Sequence, residues 1–176
     1  ARPALIAGKR PFPEIVIWES NRLRALTTIS GFHQDGIAAI AFSPRGDQIA
    51  SIGEDSLHTV AVYRAAASGD WRSGSTRIFS AATDARSVLA ACWRTDEAFA
   101  TCGGNHIYFW NKEIGFPTFK RSKGLLTQKG RVQPITCVCA TPRRRFIVSG
   151  TSSGALYLWS GRNCKSSVRG HDRAVS

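Results

Sequence analysis

The sequence lacks methionine, long hydrophobic runs and enough acidic residues to balance its basic ones. Because there is no initiator methionine, we expect the chain to be an internal piece of a longer polypeptide. No apolar run approaches the roughly 18 residues of a membrane-spanning helix, and no signal-peptide pattern is present, so we expect neither feature in this stretch. Its 24 Lys and Arg against 12 Asp and Glu give a formal net charge of +12, which predicts an acidic partner.

Patterns typical of disulfide frameworks, metal sites and catalytic centres are also missing. The five cysteines are an odd number without framework spacing, which favours reduced thiols packed in a core. Cys137 and Cys139 share one face of a strand, but no further ligands follow at zinc-like spacing. There is no Walker-type phosphate loop, no HExxH and no nucleophile elbow. We therefore expect a protein that is not an enzyme, with no catalytic residue, metal or cofactor.

The chain does contain a repeat. Four β-favouring runs, "EIVIW", "TVAVY", "HIYFW" and "ALYLW", each close on a large aromatic residue. These residues are Trp18, Tyr63, Trp110 and Trp159, at intervals of 45, 47 and 49 residues. Self-similarity at a period of this length is typical of solenoids and propellers.

Each aromatic-ended run is the third of four short strand signals. In the clearest unit we predict strands over 37–42, 48–53, 58–63 and 76–81, while sustained helical periodicity is absent. Four antiparallel strands per unit of about 45 residues predict an all-β propeller of about three full blades, with a partial blade at each end. The predicted divisions are 1–31 (strands two to four), 32–81, 82–131, 132–169 and 170–176. Because three blades cannot close a ring, we expect the remaining blades outside this window.

The segments "GFHQDGIAAIAFSPRGDQIASIGEDSLHTVAVY" and "GHDRAV" resemble WD repeats, with His33 and His171 in the histidine position. "SVLAACWRTDEAFATCGGNHIYFW" and "ALYLWSGRN" resemble the atypical WD40 propellers of the echinoderm microtubule-associated protein-like family. That resemblance implies a WD40-type fold and a microtubule-associated scaffold. It also implies structural roles for the aromatic residues and for a His–Asp hydrogen-bond chain, in which Asp55 would serve His33. The predicted structural WD positions are Trp18, His33, Asp55, Trp110, Trp159 and His171.

Basic residues cluster in particular predicted loops. In a propeller, the loops after the first and third strands of each blade share one rim. We place Arg45, Arg94 and the run Arg143–Arg145 in loops after first strands, and Arg162 in a loop after a third strand. Aspartates such as Asp55 fall on the other rim. Our hypothesis is that the arginine-bearing rim faces an acidic partner, with Arg45, Arg94, Arg143, Arg144, Arg145 and Arg162 as the contact residues.

The partner that the resemblance implies is tubulin, or another microtubule-bound protein. The expected location is the cytoplasm and cytoskeleton, including the axoneme of a cilium or flagellum. Two alternatives stay open: a general WD40 protein-interaction scaffold, and an RNA-associated propeller of a ribosome-assembly type. Base-stacking aromatics typical of RNA readers are scarce, because Trp71 is the one tryptophan outside a predicted strand. The sequence therefore favours protein over nucleic acid, and we expect no membrane partner.

Overall fold

The computed structural model describes residues 3–8, 13–66 and 69–176, and it is built from β-strands. The strands, in chain order, are β1 (Pro3–Gly8), β2 (Glu14–Glu19), β3 (Arg24–Ile29), β4 (Ile37–Phe42), β5 (Gln48–Gly53), β6 (Val60–Ala66), β7 (Asp70–Ala81), β8 (Val88–Thr95), β9 (Ala98–Gly103), β10 (His106–Lys112), β11 (Phe119–Lys123), β12 (Ile135–Ala140), β13 (Ile147–Thr151), β14 (Ala155–Ser160) and β15 (Asn163–Arg169). A 3₁₀ turn, Thr127–Lys129, lies between β11 and β12.

Consecutive strands pair antiparallel into four sheets. One sheet has three strands, β1–β3, and three have four strands each: β4–β7, β8–β11 and β12–β15. The predicted strands over 37–42 and 48–53 are confirmed, and each of the four aromatic residues lies in the third-position strand of its repeat. The all-β fold of repeated four-stranded sheets that the sequence predicts is therefore confirmed.

Two predicted strands are displaced. The strand predicted over 58–63 begins at Val60 and continues to Ala66. In the next sheet β11 begins at Phe119, because residues 113–118 form a tight turn. In that turn the Glu113 amide bonds to the Thr118 carbonyl at 2.9 Å. The strand predicted over 76–81 begins earlier, at Asp70, so it includes Trp71.

The chain divides into two compact units, residues 1–85 and 86–176. In the first, isoleucines of β2 and β3 pack with Ile49, Tyr63 and Trp71 into a buried core. In the second, Phe109 of one sheet packs with Trp159 of the other, with ring centroids 5.6 Å apart. Each unit is therefore held together by apolar contact between the faces of two neighbouring sheets.

Cysteines contribute to these cores as free thiols. Cys102 and Cys164 are buried, and all five cysteines of the chain are unpaired. Burial raises the pKa of the Cys92 thiol to about 12, and the neighbouring Cys139 adds to this rise. Such thiols stay protonated near neutral pH and pack as small apolar side chains.

Candidate functional site

An aromatic residue bonded to a hydroxyl recurs in the sheets. The Trp110 indole Nε1 donates to Thr101 Oγ1 at 3.1 Å, and the Trp159 Nε1 donates to Ser149 Oγ at 2.9 Å. In each case the hydroxyl lies two residues along the second-position strand from the residue that pairs with the tryptophan. A buried indole N–H needs an acceptor, and this register supplies one.

The first sheet departs from that pattern. Trp18 pairs with Ala4, so the equivalent position in β1 is residue 6, an isoleucine, which has no hydroxyl. The Trp18 Nε1 is buried and has no hydrogen-bond partner among the described residues. The tryptophan positions predicted from the sequence thus have different hydrogen bonding in different sheets.

In the β4–β7 sheet the network extends to a histidine. Tyr63 shares a hydrogen bond with Ser51, and Ser51 Oγ lies 2.7 Å from the His33 Nε2. The imidazole is 5% exposed, and its Nδ1 has no hydrogen-bond partner among the described residues. The chain Tyr63–Ser51–His33 ties the segment before β4 to the middle of the sheet.

Asp55 lies beside this network but does not hydrogen-bond to the His33 Nδ1, which has no partner among the described residues. Its carboxylate accepts from the Thr59 amide at 3.0 Å, from the Thr59 hydroxyl at 2.9 Å and from the Leu57 amide at 3.1 Å. Burial alone would raise the pKa of Asp55, but these hydrogen bonds outweigh it and lower the pKa. A Cβ on Gly53 would lie 2.5 Å from both the Asp55 Oδ2 and the His33 Nδ1, so a larger residue there would displace one of these side chains.

His33 predicts a pH dependence of stability. Burial lowers the pKa of His33, Asp55 opposes that shift, and Arg77 adds to it. The unfolded chain binds a proton near pH 6.5 while the folded imidazole stays neutral, so stability is complete above pH 6.5 and falls as the pH drops towards the folded pKa. We expect urea unfolding between about pH 5 and 8 to show this loss, and His33→Gln to flatten it.

His171 provides the matched control for that titration. It is exposed, and its backbone amide bonds to the Gly154 carbonyl at 3.1 Å. His171→Gln replaces an exposed histidine and is measured beside His33→Gln over the same pH range. A profile that His33→Gln leaves unchanged would contradict the role of His33 burial.

The predicted arginine contacts lie in unlike environments. Arg45, in the β4–β5 turn, pairs with Asp47 at 3.0 Å. Arg94 was predicted in a loop, but it lies within β8, which continues to Thr95. The Arg144 guanidinium donates to the Trp93 carbonyl at 3.2 Å, and its backbone is left-handed with φ 52°. Arg45 and Arg144 are therefore already bonded to other groups of this protein.

Three of the predicted arginines lie at one end of the β12–β15 sheet. Arg143 and Arg145 are exposed in the β12–β13 turn, and Arg162 is exposed in the β14–β15 turn. Turns after the first and third strands of an antiparallel meander lie at the same end, as the sequence predicted. The Arg145 guanidinium lies over the Phe146 ring, 5.3 Å from its centroid.

Sequence reasoning missed one feature of charge. Residues 114–171 contain no Asp or Glu, yet they contain eleven Lys or Arg residues. Three of these, Lys129, Arg131 and Arg169, line a groove at the other end of the β12–β15 sheet. The uninterrupted absence of acid is the signal that could have drawn attention to this segment.

Trp71 is not available to stack on a base. It is 4% exposed, and its Nε1 donates to the Gly46 carbonyl at 2.7 Å. The interpretation of Trp71 as a free loop aromatic is wrong, because β7 extends over it.

In the described ranges, no group of three or more His, Cys, Asp or Glu is arranged to hold a metal ion. Nor does any helix there have the length and apolarity to cross a membrane.

Comparisons with known proteins agree with this geometry. Residues 123–160 match the family model "WD domain, G-beta repeat". Over 96% of its length, the chain is 28% identical to echinoderm microtubule-associated protein-like 2 from Mus musculus, covering 26% of that protein. Over 78% of its length, it is 28% identical to the ciliary WD repeat-containing protein ctxp80 from Euplotoides octocarinatus, covering 18% of it.

A solved structure gives the fold. The β-propeller domain of Cps50 (Swd1) from Myceliophteria thermophila superposes with a TM-score of 0.74 at 17% identity, over 98% of this chain and 54% of that one. The chain spans about a quarter of the length of the mouse relative it matches. The chain has a β-propeller fold, matches a WD-repeat model over residues 123–160, and is similar over nearly its whole length to the echinoderm microtubule-associated protein-like proteins.

Proposed function

We propose that this chain is part of a non-catalytic WD-repeat scaffold that binds tubulin or microtubule-bound proteins. The observation that carries the proposal is similarity over 96% of the chain to a protein whose name states microtubule association. The net charge of +12 supports it, because an acidic protein surface would attract this chain over a distance of about 8 Å at physiological salt. A ciliary relative supports a place on the cytoskeleton, including cilia or flagella.

The contact surface that we propose is narrower than the full set of predicted arginines. Arg143, Arg145 and Arg162 are exposed at one end of the β12–β15 sheet. Arg144 already bonds to the Trp93 carbonyl, and Arg45 pairs with Asp47, whose side chain is only 20% exposed, so both have less to offer a partner. Arg94 lies in strand β8 and not in a turn, so we propose it only as a secondary contact residue.

A protein partner is favoured over RNA. Base recognition on single strands relies on exposed aromatic side chains. Among the described residues Phe116, at 65% on the β10–β11 turn, is the one largely exposed aromatic, and a single ring offers no continuous surface for stacked bases. Trp71, the tryptophan that the sequence placed in a loop, is buried against Phe42.

The proposal predicts the outcome of a charge reversal. In the full-length protein, Arg143→Glu with Arg145→Glu should weaken co-sedimentation with microtubules several-fold, because favourable charge contacts become repulsive. Arg144 is left unchanged, since its hydrogen bond to Trp93 supports the fold. Wild-type binding should also fall as salt is raised.

Lys120→Glu with Lys123→Glu is the matched control, with the same change of charge on exposed positions of β11. It should bind microtubules nearly as wild type does. Equal binding by the arginine double variant, or equal loss in the lysine control, would refute the proposed surface.

A further inference from the structure

A groove of about 680 Å³ lies against one face of the β12–β15 sheet. Its floor is made by two cross-strand pairs, Tyr157 with Ser167 and Ala155 with Arg169. Its wall is the segment 128–133, which leads into β12. Because β14 begins and β15 ends here, the groove is at the opposite end of the sheet from the β12–β13 turn.

The groove is open because a small residue, Ala155, lies in its floor where β14 begins. Tyr157 precedes Trp159 by two residues, as Tyr108 precedes Trp110 in β10, so Ala155 occupies the position that His106 holds in the preceding sheet. There His106 is 3% exposed, with its ring 5.0 Å from that of Tyr108. In β14 the methyl group of alanine leaves that volume empty.

Tyr157 fixes the wall in place. Its hydroxyl accepts hydrogen bonds from the Arg131 amide at 3.1 Å and the Gln133 Nε2 at 2.6 Å, and it donates to the Arg131 carbonyl at 3.1 Å. A Cβ on Gly130 would lie 3.3 Å from the Tyr157 ring, so the segment packs closely there. A wall held in this way is preformed, which reduces the entropy lost when a ligand binds.

The groove is cationic. Lys129, Arg131 and Arg169 line it, and none of the described residues that line it carries a carboxylate. Arg169 pairs with Asp172 at 3.2 Å, but both side chains are largely exposed, so solvent screens that pair. Arg131 is bonded to Tyr157 through its backbone, and the residue is exposed at the groove.

We propose that this groove binds an extended acidic peptide of a partner protein. Its volume falls in the range of about 300–1,000 Å³ typical of ligand sites and is far larger than a single phosphate requires. Gln128, Ser153 and Ser167 can hydrogen-bond a peptide backbone, while the three cations attract its carboxylates. Nucleic acid fits poorly, because the aromatic in the floor, Tyr157, is 2% exposed and committed to the wall.

This inference goes beyond the proposed function. The groove and the Arg143 and Arg145 turn lie at opposite ends of one sheet, so a scaffold could hold two acidic partners at once. The peptide need not belong to a microtubule.

Fluorescence anisotropy of the full-length protein with a labelled glutamate-rich peptide tests the inference. We expect saturable binding that Lys129→Glu with Arg131→Glu weakens at least 10-fold. Ala155→His should weaken it comparably without removing a positive charge, because the imidazole fills the floor as His106 does in β10. The same peptide with glutamine in place of glutamate should not bind.

Lys120→Glu with Lys123→Glu, an equal change of charge outside the groove, should stay within about twofold of wild type. Equal weakening by this control would overturn the proposal, since binding would then depend on overall charge alone. So would unchanged binding in both groove variants, or displacement of the peptide by single-stranded RNA at equal or lower concentration.

Discussion

Replacing Trp159 with alanine should lower the free energy of unfolding of the full-length protein by about 3–5 kcal/mol. Trp159 is 1% exposed and packs between the two sheets of its unit, with Phe109 at 5.6 Å and Tyr157 at 6.2 Å between ring centroids. The alanine would leave a cavity and remove the donor to Ser149 Oγ. Urea unfolding, followed by tryptophan fluorescence or circular dichroism, measures the loss.

Two phenylalanine variants separate the hydrogen bond from the packing. Trp159→Phe keeps an aromatic ring but leaves the buried Ser149 hydroxyl without its donor, at a cost of about 1–3 kcal/mol. Trp18→Phe removes no hydrogen bond within the described ranges, because the Trp18 Nε1 has no partner there. It should therefore cost less than Trp159→Phe. An equal cost at both positions would show that the aromatic–hydroxyl pair contributes little.

Gly103→Ala should destabilise the protein by about 3 kcal/mol, the upper end of the usual cost of overpacking. A Cβ at Gly103 would overlap the Ser87 carbonyl oxygen and lie 2.8 Å from the Val88 Cα. These are backbone atoms where β8 pairs with β9, so no side-chain rotation can relieve the clash. Chemical denaturation of the full-length variant gives the change directly.

The neighbouring residue is its control. A Cβ on Gly104 would be 3.5 Å from the Arg86 Cβ, an ordinary van der Waals distance. Gly104→Ala should therefore change stability by no more than about 0.5 kcal/mol. Equal stability of the two glycine variants would contradict the close approach of β8 and β9 at Gly103.

The repeat was predictable from the sequence because its signal is local. Each third strand is a run of β-favouring residues that ends in an aromatic, and the strands at 37–42 and 48–53 are bounded by turn residues. The start of β7 was not predictable, since Asp70 and Trp71 belong to a polar stretch. Trp71 is held in the strand by a residue 25 positions away, because its indole donates to the Gly46 carbonyl. Asp70 pairs with Ala66 only after a bulge.

The candidate sites were predictable only in part. Sequence spacing placed Arg143, Arg145 and Arg162 at one end of a sheet, because strand order alone decides that. It could not reveal that Arg144 bonds to the Trp93 carbonyl, a contact between residues 51 apart in the chain. The groove depends on Ala155 and on the segment 128–133, which Tyr157 holds through hydrogen bonds to Arg131. These residues are 26 positions apart in the chain, so no local pattern encodes the contact.

The most direct measurement is co-sedimentation of the wild-type full-length protein with microtubules, in competition with excess single-stranded RNA. We predict that the protein pellets with microtubules near physiological salt, is released as salt is raised, and is not displaced by RNA. The account would be contradicted if the protein stayed in the supernatant when the microtubules pelleted, or if RNA released it from them.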